Sequence, residues 1–167
     1  MKKILPIIAF LFSTAPVFSQ VVALDFDGVN DQVVVTGNSS LSPTKITLET
    51  WMYAKSFSSS PCADCAPIIW HQGKGYRFGT GNGAGVDVQF FDGSSTKTLK
   101  SSMTLSTNAW HHLAVTYDSA MIKMYIDGSL TDSVAATFTL NYSSKGADVW
   151  IVDPATGYGG TLEETRI

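Results

Sequence analysis

Three groups of residues in this sequence carry chemistry that a functional site could use. The first is acidic. Asp25-Phe26-Asp27-Gly28-Val29-Asn30-Asp31 brings three carboxylates within seven positions, and a hard cation such as Ca2+ takes about six to eight oxygen ligands at about 2.3–2.6 Å. The segment is not an EF-hand loop, because no glutamate stands at its twelfth position. Turn carbonyls with Asp27 or Asp31, joined by Glu163 or Glu164 from the far end of the chain, could still supply an oxygen cage. The competing reading is that these acids only form turns and face water. The second group is aromatic: Trp51, Tyr53, Trp70, Tyr76, Trp110, Trp150 and Tyr158. The apolar C–H face of a sugar ring stacks on Trp or Tyr, while a few polar side chains fix its hydroxyls. Trp51 and Trp110 open or end apolar stretches and are expected to pack in the core. Trp70, Tyr76 and Tyr158 lie beside Gly-rich loops and form the expected exposed, ligand-binding set.

The third group is His111-His112 and the pair Cys62 and Cys65. Neighbouring residues of a strand point to opposite faces, so one histidine is expected in or near the core and the other outward. His112 is expected to be a hydrogen-bonded structural histidine. No Gly-x-Ser-x-Gly elbow accompanies them, so a Ser-His-Asp triad has no local signature. Cys62-Ala63-Asp64-Cys65 follows Ser58-Ser59-Ser60-Pro61. A redox pair would open a helix, and no helical periodicity follows. Zinc wants four ligands, and only His71 lies nearby in sequence. A small loop-stapling disulfide is the expectation, and its short loop places its contribution at the low end for disulfides.

The elements that must position these groups are strands. From Val21 onward the apolar pattern has period two and is broken by Gly, Asn and Asp. Ile46-Thr47-Leu48-Glu49-Thr50-Trp51-Met52-Tyr53 puts Ile46, Leu48 and Met52 on one face and Glu49, Trp51 and Tyr53 on the other. Val86 to Phe91 and Thr96 to Lys100 flank an Asp92-Gly93 hairpin signal. Trp110 to Asp118, Met121 to Ile126 and Leu130 to Val134 read as three strands joined by two tight turns, the second at Asp127-Gly128. Roughly a dozen short strands with frequent turns predict an all-β, antiparallel two-sheet sandwich. No connection holds a crossover helix, which excludes a parallel α/β sheet.

Composition narrows the function classes. The chain has 167 residues, 15% of them charged and 44% hydrophobic, which is far from a disordered composition. The formal charge of −3 without a Lys/Arg block argues against nucleic acid or an anionic lipid surface as partner. Lys2 and Lys3 precede an apolar run from Ile4 to Phe12, and Val17 and Ser19 stand at the −3 and −1 positions of a small-residue cleavage site. Residues 1–19 therefore read as a signal peptide, and the product as secreted or displayed at the cell surface without membrane insertion. Removing them leaves 148 residues and moves the formal charge to −5. In an exported chain a disulfide between Cys62 and Cys65 can persist. With so few charges, recognition is expected to rest on aromatics and a few placed acids, with no long-range electrostatic pull.

Several segments, taken in order, resemble the signatures of LamG-like jelly-roll domains of the concanavalin A-like lectin/glucanase superfamily. They are Ala23 to Asp31, Ile46 to Trp51, Trp110 to Asp118, Met124-Tyr125-Ile126-Asp127-Gly128, and Leu162-Glu163-Glu164-Thr165-Arg166-Ile167. The resemblance spans residues 20–167 and implies a jelly-roll sandwich. It also implies that a structural calcium is often held, and that the last strand runs a few residues past Ile167, so the chain is expected to be the front part of a longer, multi-module protein. A glucanase on this sandwich carries Glu-x-Asp-x-x-Glu on one strand, because two carboxylates must straddle the glycosidic bond. Here Glu49 stands alone on its strand, and Glu163 and Glu164 are adjacent, so alternation sends them to opposite faces. The expectation is a non-catalytic recognition domain for carbohydrate or a cell-surface or matrix glycoprotein, with calcium as a candidate support. The alternatives are a glycoside hydrolase or polysaccharide lyase of the same superfamily, or a structural adhesion or spacer module.

Overall fold

The computed structural model describes residues 23–57, 66–81, 84–155 and 157–167. The signal peptide and the Cys62–Cys65 disulfide expected from sequence lie outside the described residues. Period-two patterning folds as anticipated into twelve strands. They are β1 (Leu24–Asp27), β2 (Val33–Val35), β3 (Ile46–Ala54), β4 (Ala66–His71), β5 (Tyr76–Thr80), β6 (Gly85–Phe91), β7 (Thr96–Thr104), β8 (Trp110–Tyr117), β9 (Met121–Ile126), β10 (Ser129–Ala135), β11 (Val149–Ile151) and β12 (Gly159–Arg166). They form two six-stranded antiparallel sheets, in the orders β1-β12-β3-β8-β9-β10 and β2-β11-β4-β5-β6-β7. The result is an all-β jelly-roll sandwich.

The core lies between the sheets. Leu48, Leu113, Val115, Ile122, Met124 and Leu162 point inward from the first sheet, against Ile69, Phe78, Val88, Phe90 and Val149 of the second. Each large apolar side chain so buried contributes about 1.5–3 kcal/mol relative to exposure. The hairpin signals are realised. Asp127 and Gly128 take positive φ angles of 52° and 77° between β9 and β10, the left-handed pair that a two-residue turn needs to match strand twist. At the β6–β7 turn the Asp92 carboxylate accepts from the Ser95 hydroxyl and from the backbone N–H groups of Ser95 and Ser94. These bonds, the Ser95 hydroxyl first, hold its pKa well below the ordinary carboxylate range.

Four strand pairings shift register among the described residues, and two of these shifts bear on candidate site residues. Between β4 and β5, Pro67 faces Gly79 and Ile69 faces Phe78, so Ile68 is an extra residue. Ile68 and Ile69 are consecutive and both fully buried. Between β12 and β3, Glu163 faces Trp51 and Arg166 faces Glu49, with Glu164 at a φ of 47°. An inserted residue reverses the parity of everything beyond it.

Candidate functional site

The outward-facing residues of the second sheet form a single cross-strand row. Val34 pairs with Trp150, Trp150 with Trp70, Trp70 with Arg77, Arg77 with Gln89, and Gln89 with Thr98. Trp150, Trp70, Arg77 and Gln89 are each flanked along their strands by buried residues, namely Val149 and Ile151, Ile69 and His71, Tyr76 and Phe78, and Val88 and Phe90. Cross-strand neighbours on one face lie close enough for rings and long side chains to touch. Trp70 and Trp150 meet edge to face, with centroids 5.7 Å apart at 75°, and the Arg77 guanidinium carbon lies 5.5 Å from the Trp70 ring centre. One step along, Lys74 Nζ stands 4.9 Å from the Phe91 ring centre. Between them is a cavity of about 210 Å³ lined by Trp70, Lys74, Arg77, Gln89, Phe91 and Thr96, with Gly75 and Tyr76 at its base. Neither cation has a carboxylate at ion-pair distance among the described residues, whose Lys and Arg pairs are Lys55 with Asp25 and Arg166 with Glu49 and Glu164.

The floor under this cavity is polar and buried. His71 is fully buried, with ring centroids 5.2 Å from Tyr76 and 4.8 Å from Tyr142. Its Nδ1 accepts the Gly73 N–H at 3.1 Å, which leaves the proton on Nε2, 3.2 Å from Ser42 Oγ. The tyrosine hydroxyls donate to backbone carbonyls, Tyr76 to Leu41 at 3.1 Å and Tyr142 to Pro43 at 2.8 Å. The Gly73-Lys74-Gly75 turn lies flat on this floor. Gly75 has a φ of +83°, and a Cβ on it would stand 2.1 Å from a Tyr142 ring carbon. Only glycine satisfies both conditions, and the turn so held lifts Lys74 over Phe91.

Burial lowers the His71 pKa below its ordinary value. The unfolded chain then binds a proton that the folded chain resists. This contribution to stability is complete above the unfolded value of about 6.5 and is lost as pH falls through that value toward the folded one. Thermal melting between pH 7.5 and 5 is expected to show a falling midpoint in the wild type and a flatter profile in His71→Gln. Equal slopes for the two proteins would contradict this account.

The structure redistributes the expected aromatics. Tyr76 and Tyr158 are 2% and 5% exposed, not surface residues as anticipated. Tyr158 packs edge-on to Phe26 with centroids 6.0 Å apart, and its hydroxyl donates to the carbonyls of Tyr53 and Thr161. Burial pushes both phenols well above their usual pKa. Trp70 alone of the three presents its ring at the surface. Trp51 and Trp110, expected in the core, are 39% and 41% exposed on the outer face of the first sheet, against His112 and Tyr53. The reason is parity: Ile46, Leu48, Thr50, Met52 and Ala54 occupy the inner face of β3, which sends Trp51 outward. Trp150 belongs to the aromatic group read from sequence but not to its expected ligand-binding set, and the sequence carries no signal for Arg77, Lys74 or Phe91. Flanking by Val149 and Ile151 was the available signal for Trp150.

The four acids expected to hold calcium do not converge. Asp27 closes its own turn: its carboxylate accepts the Val29 N–H, and its N–H donates to Asp31 Oδ2, both at 2.8 Å. Asp27 faces Gly159 on β12, and Glu163 lies four residues further along that strand, roughly 13 Å away at strand rise. Glu164 accepts from Arg166 Nη2 at 3.0 Å, while Nη1 of the same guanidinium donates to Glu49 at 2.9 Å. Among the described residues no group of three or more His, Cys, Asp or Glu is placed to hold a metal.

A Ser-His-Asp row that sequence did not signal does occur. His111 Nδ1 lies 2.9 Å from Asp127 Oδ2, and its Nε2 lies 2.9 Å from Ser106 Oγ and accepts the Ser106 N–H at 3.3 Å. The other Asp127 oxygen accepts the His112 N–H at 2.9 Å. Because Ser106 also spends its own N–H on Nε2, the row works as a clamp that ties the loop before β8 to the β9–β10 turn. Burial raises the Asp127 pKa, but the bonds from His111 and His112 outweigh it and bring the carboxyl below its ordinary value. Its contribution is therefore present above about pH 4 and lost on further acidification. Asp127→Ala strands the two donors that its carboxylate accepts from and leaves the left-handed position without the short polar side chain that tolerates it, and is expected to cost about 2 kcal/mol. In a thermal melt that is a fall of about 4–8 °C; an unchanged midpoint would count against the clamp.

A family model described as concanavalin A-like lectin/glucanases superfamily, Laminin_G_3, matches residues 27–167. No curated protein matches the chain. Similar solved structures include the binding domain of Paraclostridial Mosquitocidal Protein 1, with a TM-score of 0.63 and 13% identity over 88% of this chain and 41% of that one. The binding domain of Botulinum Neurotoxin DC is similar in its complex with SialylT (TM-score 0.65, 16% identity, 90% and 39% coverage). It is also similar in its complex with rat synaptotagmin II (TM-score 0.64, 16% identity, 90% and 39% coverage). The chain thus spans about two fifths of the length of these solved chains.

Proposed function

The chain belongs to the concanavalin A-like lectin/glucanase superfamily, and on that premise we propose that it is an exported, non-catalytic recognition domain whose second sheet binds carbohydrate, free or carried by a surface or matrix glycoprotein. The observation that carries this reading is the row Trp150-Trp70-Arg77-Gln89 with its adjoining cavity. It offers rings for the apolar face of a sugar and side-chain donors for its hydroxyls, the composition expected of a small-ligand site. The neighbours named above are binding domains, one of them bound to SialylT, which is consistent with recognition on this fold. Export rests on the leader-like first 19 positions.

Glycosidases need two carboxyl groups about 5–5.5 Å or about 6.5–9.5 Å apart across the bond they cleave. The residues lining this cavity include no carboxylate; Glu163 and Glu164, expected on opposite faces, both line a second cavity of about 510 Å³, where Arg166 engages Glu164 at 3.0 Å. Glu49 on the opposite sheet is engaged by Arg166, with His112 Nε2 at 3.8 Å. Screening the folded domain on a glycan array tests the proposal, with at least one oligosaccharide family expected to bind. Absence of any binding at high protein concentration, with the fold confirmed by circular dichroism, would remove it. Release of reducing ends from a polysaccharide panel would overturn its non-catalytic part.

A further inference from the structure

The cavity on the second sheet carries a charge signature that the chain as a whole does not. The protein is acidic, with a formal charge of −3, yet the two ionisable groups with free ends at this cavity are both cations, Lys74 and Arg77. Each is seated on a ring, Lys74 on Phe91 at 4.9 Å and Arg77 on Trp70 at 5.5 Å. Cation–π seating stabilises the charge from one side without using its N–H donors. A guanidinium stacked on an indole presents its forked edge sideways, the geometry that matches a carboxylate or sulfate in two parallel hydrogen bonds. Lys74 and Arg77 have no carboxylate at ion-pair distance among the described residues, a state they share with Lys45, Lys97, Lys100, Lys123 and Lys145; what sets these two apart is that both are seated on rings and line one cavity. Gly73 and Gly75 hold the Lys74 turn against Tyr142 and Ser144, so that ammonium is carried on a fixed turn.

Building on the carbohydrate reading above, we infer that this site selects an anionic sugar, whose carboxylate or sulfate lies between Arg77 and Lys74 and whose ring packs on the Trp70 side of the cavity. At about 210 Å³ the cavity is smaller than the ~300–1,000 Å³ of a drug-sized ligand site. It accommodates one charged residue of a glycan, and the remainder of the chain extends along the row toward Trp150. Gln89 and Thr96 supply neutral polar contacts for hydroxyls on the opposite wall.

The experiment is a matched array in which each neutral oligosaccharide stands beside the sialylated, uronic-acid and sulfated forms of the same core, followed by titration calorimetry of the best pair. The wild type is expected to bind an acidic form about tenfold more tightly than its neutral parent, with the preference shrinking as NaCl rises past 0.1 M, where the screening length is about 10 Å. Arg77→Gln and Lys74→Met are expected to bring the ratio of acidic to neutral affinity down to about one, whatever each does to the neutral affinity itself; a ratio that stays near tenfold in both variants would overturn the inference. The carboxylate and sulfate arms identify which anion the site takes. Equal binding of neutral and acidic forms by the wild type would overturn this inference and leave the carbohydrate reading standing. Loss of all glycan binding in the wild type would remove both.

Discussion

Gly79→Ala is expected to lower the stability of the domain by about 3 kcal/mol and to move the thermal midpoint down by about 6–12 °C. A Cβ built on Gly79 would stand 2.3 Å from the Ala66 carbonyl oxygen and 2.7 Å from both the Ile68 nitrogen and the Pro67 Cα. All three are backbone atoms of the bulge in β4, so no side chain can swing aside to make room. Relief requires β4 to separate from β5 or the bulge to straighten. Straightening shifts the β4–β5 register by one, takes Trp70 from its place opposite Arg77 and reverses its face, at the cost of turning buried Ile69 outward. The substitution therefore couples stability to the site, and a protein that survives it is expected to show weaker glycan binding as well. A Gly79→Ala domain with wild-type melting and wild-type binding would show that the close approach has no energetic weight.

Trp70→Ala is expected to weaken glycan binding by about 30-fold, the equivalent of about 2 kcal/mol for a central aromatic anchor. Trp70 stands at the middle of the outer row, touched by Trp150 on one side and Arg77 on the other. Its removal takes away the stacking surface and the seat of the guanidinium together. Because its ring is half-buried on the outer face and not in the core between the sheets, the effect on folding is expected to be small, about 1 kcal/mol. Trp110→Ala is the control, since it removes an indole from the outer face of the other sheet, where it is 41% exposed, and is expected to leave binding unchanged. Equal losses in the two variants would place the site elsewhere.

The fold was legible because its signals are local. Alternation marks strands whatever they pair with, and Asp92-Gly93 and Asp127-Gly128 mark turns whose backbone geometry few other residues adopt. The site was legible only in part. Trp70 was singled out for its place beside a Gly-rich loop. Tyr76, beside the same loop, proved to be the floor, because one residue of phase separates a surface ring from a buried one. Trp51 is instructive in the other direction. Alternation along β3 already set it opposite Leu48 and Met52, and its size suggested core, but position prevailed over residue type.

What the sequence by itself determined is the all-β class, the twelve-strand rhythm, the main turns and the family. These follow from periodicity and turn chemistry over fewer than ten neighbouring residues, or from the order of the motifs along the chain. What only the tertiary structure decided is which side chains share a face. An extra residue in β4 brings Trp70 beside Arg77, a bulge in β12 gives Glu164 and Glu49 the same arginine, and antiparallel pairing draws Glu163 away from Asp27. Parity and register depend on strands far apart in sequence, and a single inserted residue changes both without leaving a mark in the local pattern.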